Sequence, residues 1–153
     1  MKKMFLLGML LTVSMSFAQL KKVHVTPAET IGKAQQFGGP LEAEITKSGN
    51  KYTLRFRDQQ FKTLDEYREF TFEDVDNTFN DLYAAIEEGF TTMPKESVML
   101  ELPDYLIGLH FSKFLGSPVL RFSCASMKVK DAPVYFSNEI AKKQVEKLFA
   151  KKK

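Results

Sequence analysis

The alternation of apolar and polar positions is clearest between Leu41 and Phe56. Leu41, Ala43 and Ile45 are separated by polar residues, Ser48-Gly49-Asn50 supplies turn formers, and Tyr52, Leu54 and Phe56 alternate back. A period of two on both sides of a glycine-containing turn predicts a hairpin of two half-buried strands, with Arg55 and Arg57 on the solvent side. A third strand is expected near Tyr67 to Phe72, where Phe70 and Phe72 share a face. The period then changes. Val75, Phe79, Leu82 and Ile86 recur at helical spacing and Gly89 follows as a stop, which predicts a helix over about 75–89.

The second half repeats this style. Val98, Leu100 and Leu102 alternate, Pro103-Asp104 breaks the run, Ile107, Leu109 and Phe111 lead to a turn at Leu115-Gly116-Ser117-Pro118, and Leu120, Phe122 and Cys124 return. A last helix is expected over about 138–150, burying Ala141, Val145, Leu148 and Phe149, with lysines in its final turn suited to the negative end of the helix dipole. Near the other end, Thr26-Pro27-Ala28-Glu29 has a cap residue, a proline at the first helical position and a glutamate three residues after the cap. That combination predicts a short helix over about 27–36 with Ile31 and Ala34 inward, although Gly32 opposes it and Gly38-Gly39-Pro40 ends it. The fold class expected is α+β: an antiparallel sheet of about six strands, with the two long helices packed on it and the short one preceding it. Strands, helix, strands, helix is a topological echo, but few identical residues align when the halves are overlaid.

Residues 1–18 break the globular pattern. Lys2 and Lys3 precede an apolar run from Met4 to Val13, and Ser16-Phe17-Ala18 offers small residues at a cleavage site. This is the layout of a secretory signal peptide cleaved before Gln19, and it predicts an exported protein, periplasmic or extracellular. Thr12, Ser14 and Ser16 interrupt the run short of the roughly 20 apolar residues a spanning helix needs. Gln19 stands where a bacterial lipoprotein would carry its cysteine, so no membrane anchor is expected.

Taking eighteen residues from 153 leaves 135, enough for one domain at 19–153 to bury roughly two thirds of its unfolded surface. Its single cysteine, Cys124, cannot form an internal disulfide, so stability is expected from packing. Charge is segregated along the chain: residues 19–57 carry +4, residues 58–104 carry −10 and residues 105–153 carry +7.

Candidate chemistry is sparse. Leu120 and Phe122 put Cys124 on an apolar face, where a thiol behaves as a small hydrophobe. A Cys-His dyad finds no base, because His110 has the opposite parity to the apolar residues around it and His24 lies in the N-terminal stretch. Asp74, Asp76 and Asp81 do not fit a calcium loop, since Phe79 stands where glycine is required and Ala85 where a bidentate glutamate is required; Asp74 and Asp76 suit a helix N-terminus. The lysines at 142, 143, 147 and 151–153 lack interleaved aromatics, so nucleic acid is not an expected partner. No phosphate loop, HExxH, CxxC or Gly-x-Ser-x-Gly occurs, and no cofactor or metal site is expected.

One constellation stands out. A turn centred on Leu115-Gly116 pairs positions summing to 231, which sets His110 opposite Arg121 with Ser112 and Ser123 on the same face. Such a strip can hold a carboxylate or phosphate through the arginine fork and a hydroxyl. These features point first to a non-catalytic binding module of the cell envelope or medium, taking a protein or small ligand. The alternatives are a small hydrolase centred on His110 and Arg121, and a structural envelope protein.

Overall fold

The structure is a computed structural model that describes residues 26–61 and 63–151. The expected signal peptide, its expected cleavage point and His24 lie outside these residues. Over the described residues the architecture is α+β, with two antiparallel sheets and two helices. The first sheet has the order β1 (Glu29–Gln35), β2 (Leu41–Ser48), β3 (Lys51–Arg57) and β4 (Tyr67–Glu73). A 3-10 turn, Gln59–Phe61, follows β3, and α1 (Thr78–Thr92) follows β4. The second sheet runs β5 (Val98–Glu101), β6 (Tyr105–Phe114), β7 (Ser117–Ser126) and β8 (Tyr135–Phe136). The two-residue β9 (Ile140–Ala141) also pairs with β7 and leads directly into α2 (Lys142–Leu148).

The six strands expected from alternation are all present, divided between two sheets and joined by β1, β8 and β9. The predicted N-terminal helix is instead β1. Two tertiary contacts override its cap signature: β1 completes an antiparallel ladder on β2, with Ala34 opposite Ala43, and its Gly32 lies against α2. A Cβ at Gly32 would stand 2.2 Å from the Lys147 carbonyl oxygen, so this close approach tolerates no side chain.

Both helix boundaries differ from those predicted. Asp76 and Asn77 have left-handed φ angles of 52° and 74°, so α1 cannot begin at Val75 and starts at Thr78. Gly89 does not stop it. The helix continues to Thr92 and ends at Met93, whose N–H bonds the Gly89 carbonyl at 2.8 Å in a left-handed cap ahead of Pro94. Gly89 is instead a contact point, for a Cβ there would lie 2.0 Å from the Phe111 ring. The last helix is short because Ile140 and Ala141 are engaged with Leu120 and Val119 of β7 and are therefore extended. Val145, Leu148 and Phe149 are buried as expected, whereas Ala141 belongs to the strand. Arg57 also departs from the solvent side: its side chain is 14% exposed and pairs with Glu42 and Asp65.

One contiguous core joins both sheets and both helices. Tyr52 stacks between Phe72 and Phe79, with ring centroids 5.6 and 4.4 Å away, and Phe79 in turn meets Phe149 of the C-terminal segment at 5.3 Å. The sheets meet at a polar joint. Asp58, 2% exposed, forms an isolated bridge with Ser137, and its carboxylate accepts from Arg68 Nε at 2.8 Å and from the Gln60 N–H at 3.0 Å. Arg68 also lies over the Tyr135 ring of β8 at 4.1 Å. The acidic and basic segments meet as well: Lys142 pairs with Glu87 at 3.4 Å, and Lys151 Nζ donates to Asn80 Oδ1 at 3.0 Å. No helix among the described residues is long and apolar enough to cross a membrane.

Candidate functional site

The β6–β7 hairpin has the register that its turn implied. Leu115 and Gly116 both take positive φ, at 48° and 81°, which gives a turn matched to strand twist and places His110 directly opposite Arg121. Ile107, Leu109, Leu120, Phe122 and Cys124 turn to the core, while His110, Ser112, Arg121 and Ser123 share the other face. Cys124 is accordingly buried, and burial pushes its thiol up to about 11.

His110 is held on both ring nitrogens. Ser97 Oγ lies 2.5 Å from Nδ1, and Ser123 Oγ lies 2.8 Å from Nε2. A neutral imidazole carries one ring proton, so one serine donates to the ring while the other accepts from it. Ser123, 3% exposed, is bonded to the ring edge and is not among the residues that line the cleft beside His110, Ser112 and Arg121. Gly108 makes room for this pair: a Cβ there would stand 2.3 Å from Ser123 Oγ and 2.8 Å from His110 Nε2. Burial, with the Arg121 charge adding to it, holds His110 below the usual histidine range, so the ring is neutral near pH 7.

Arg121 is anchored on one side and open on another. Its Nη1 donates to Gln59 Oε1 at 3.2 Å and its guanidinium lies 5.5 Å from the Phe136 ring centroid. Its Nε is buried and has no hydrogen-bond partner among the described residues. His110, Ser112 and Arg121 line one cleft of about 210 Å³, together with Lys95, Glu96 and Ser97 from the segment between α1 and β5. Ser112 Oγ also reaches Glu139 Oε1, at 3.5 Å. Gln59 and Phe136, which hold Arg121, line a second hollow of about 370 Å³.

Three contributors were not singled out from the sequence: Ser97, Lys95 and Gln59. Ser97 had a signal. The β5–β6 pairs sum to 207, and continuing that register by one residue places Ser97 opposite His110. Gln59 and Lys95 had none, since nothing local marks a residue on a short 3-10 turn or an irregular segment as a neighbour of β7.

Asp74 has a structural role. Asp74 Oδ1 accepts the Phe79 N–H at 3.0 Å, serving the start of α1. Among the described residues, no group of three or more His, Cys, Asp or Glu is placed to share a metal ion.

Chemically, the cleft offers an arginine fork, an ammonium and hydroxyls around a neutral histidine, with the Glu96 carboxylate also on its wall. That set recognises a small anion. At about 210 Å³ it is smaller than the roughly 300–1,000 Å³ of sites that enclose a whole drug-sized ligand, so it suits an end group. The chain matches no protein-family model, no characterised protein and no solved structure.

Proposed function

We propose that this is an exported, non-catalytic binding module that takes a carboxylate- or phosphate-bearing ligand on the outer face of its second sheet. Export is supported by the charge, apolar run and small-residue ending of residues 1–18. The binding reading rests on Arg121, whose guanidinium lines the cleft and is held in place there by Gln59 and Phe136. An arginine held in place spends little side-chain entropy when an anion arrives.

Titration of the labelled protein with inorganic phosphate and with succinate, followed by amide chemical shifts, tests this reading. Saturable shifts confined to residues around His110, Ser112 and Arg121, lost in Arg121→Gln, are expected. Shifts that never saturate, or that persist in the variant, would exclude the site.

The Ser97–His110 contact favours a second reading, a small hydrolase with Ser97 as nucleophile and His110 as base. Two features oppose it. A base that takes the serine proton becomes an imidazolium, and both burial and Arg121 disfavour that charge. The group on the other ring nitrogen is a hydroxyl, which cannot stabilise the imidazolium as a carboxylate does. Incubation with a fluorophosphonate probe separates the readings. Covalent labelling at Ser97 that disappears in His110→Ala would establish the hydrolase.

A further inference from the structure

Away from this cleft, two open sheet edges converge on one cavity. Among the described residues, β4 pairs only with β3 in the first sheet and β5 only with β6 in the second. A cavity of about 470 Å³ is lined by Thr71 and Glu73 of β4 and by Glu101 and Leu102 at the end of β5. An adjoining hollow of about 200 Å³ shares Glu101 and Leu102 and adds Asp81.

The ladder parity shows which backbone groups face this space. The Asp58 N–H bonds the Glu66 carbonyl and the Asp74 N–H bonds the Asn50 carbonyl, so the hydrogen-bonded β3–β4 pairs are those with even-numbered β4 residues. Thr71 and Glu73 therefore direct their N–H groups away from β3. The same argument applies to β5: Leu102 and Tyr105 exchange both backbone bonds, which leaves Glu101 pointing outward. The Glu73 carbonyl already accepts the Val75 N–H at 3.0 Å, so the outward N–H groups of Thr71 and Glu73 and the Thr71 carbonyl are the template this edge offers another strand.

The side chains around the edge specify what that strand would carry. Glu73, Glu101 and Asp104 line the cavity with Lys51, and Lys128 already pairs with Asp104 at 2.8 Å. Glu73 and Glu101 are exposed, within the stretch of the chain that carries −10. Val75, 56% exposed, and Leu102 add apolar surface. We infer that this groove binds an extended basic peptide by strand addition to β4, with its main chain on Thr71 and Glu73, its lysine or arginine side chains at Glu73 and Glu101, and its alternate apolar side chains on Val75 and Leu102. This site is separate from the Arg121 cleft and does not depend on it.

The test is fluorescence anisotropy of a labelled peptide of alternating lysine and valine, with a peptide of alternating glutamate and valine as its counterpart. The basic peptide is expected to bind saturably and the acidic one not to bind. Glu101→Lys should weaken binding by about tenfold or more, the equivalent of roughly 1.4 kcal/mol. Thr71→Pro removes an outward N–H without touching the β3–β4 ladder, so it should abolish binding while the protein stays folded. Hydrogen exchange on the unmodified protein gives a readout independent of that variant, since bound peptide should protect the Thr71 and Glu73 amides. Equal binding of both peptides, unaltered exchange at those amides, or pairing of two copies along β4 seen by sedimentation would overturn the inference.

Discussion

Gly89 and Gly108 show how single residues set this structure. Alanine at Gly89 would gain about 1 kcal/mol in helix propensity, but its Cβ would meet the Phe111 ring, itself held edge-on by Phe90 at 5.4 Å. Overpacking costs about 1–3 kcal/mol, so Gly89→Ala is expected to destabilise the protein in urea unfolding, and adding Phe111→Leu should recover part of the loss. His110 makes a pH-dependent contribution. Its folded pKa lies below the ordinary value, so as pH falls the unfolded chain takes up the proton first, near about pH 6.5. The contribution is present above that value and is gone once pH has fallen through the folded one. Wild type should therefore lose more stability than His110→Gln between about pH 7.5 and about pH 5 in urea unfolding; parallel losses would contradict the assignment. Cys124, with its thiol pushed up to about 11, should react with a disulfide reagent at pH 8 only as fast as the protein opens. Reaction at the rate of a small-molecule thiol would show that it is not buried.

At the scale of elements, periodicity located the strands and found the longer helix, whereas its ends and the nature of β1 required partners. Phe79, Leu82 and Ile86 are buried on α1, as their spacing implies, yet Asp76 and Asn77 delay its start and Gly89 fails to end it. The Thr26-to-Glu29 cap signature is a local preference worth about 1 kcal/mol, too little to compete with a full ladder on β2. An ion pair joins the acidic sequence of α1 to the basic sequence of α2. Lys142 and Glu87 are each about one third exposed, so a double-mutant cycle on the pair should give about 0.2–1 kcal/mol, decreasing in molar salt.

For the whole molecule, the joint between the sheets matters most. Asp58 is 2% exposed and Arg68 supplies its charge partner while stacking on Tyr135, so one side chain ties β4 to β8. Arg68→Ala leaves a buried carboxylate without its cation and should destabilise the protein by about 3 kcal/mol or more in chemical unfolding. Arg68→Lys should restore only part of this, because an ammonium cannot reproduce both the stacking and the directed Nε bond.

The sequence by itself determined what depends on neighbours along the chain: the hairpins, their registers, the opposite parity of His110 and Cys124, and the pairing of His110 with Arg121. A two-residue turn and a period of two are enough to fix these. Tertiary structure decided how the strands divide into two sheets, that β1 is a strand, and which residues complete the cleft. Gln59 reaches Arg121 across 62 residues and Asn138 reaches Glu42 across 96. Contacts at such separations arise from packing the sheets together, and no local pattern of polarity encodes them.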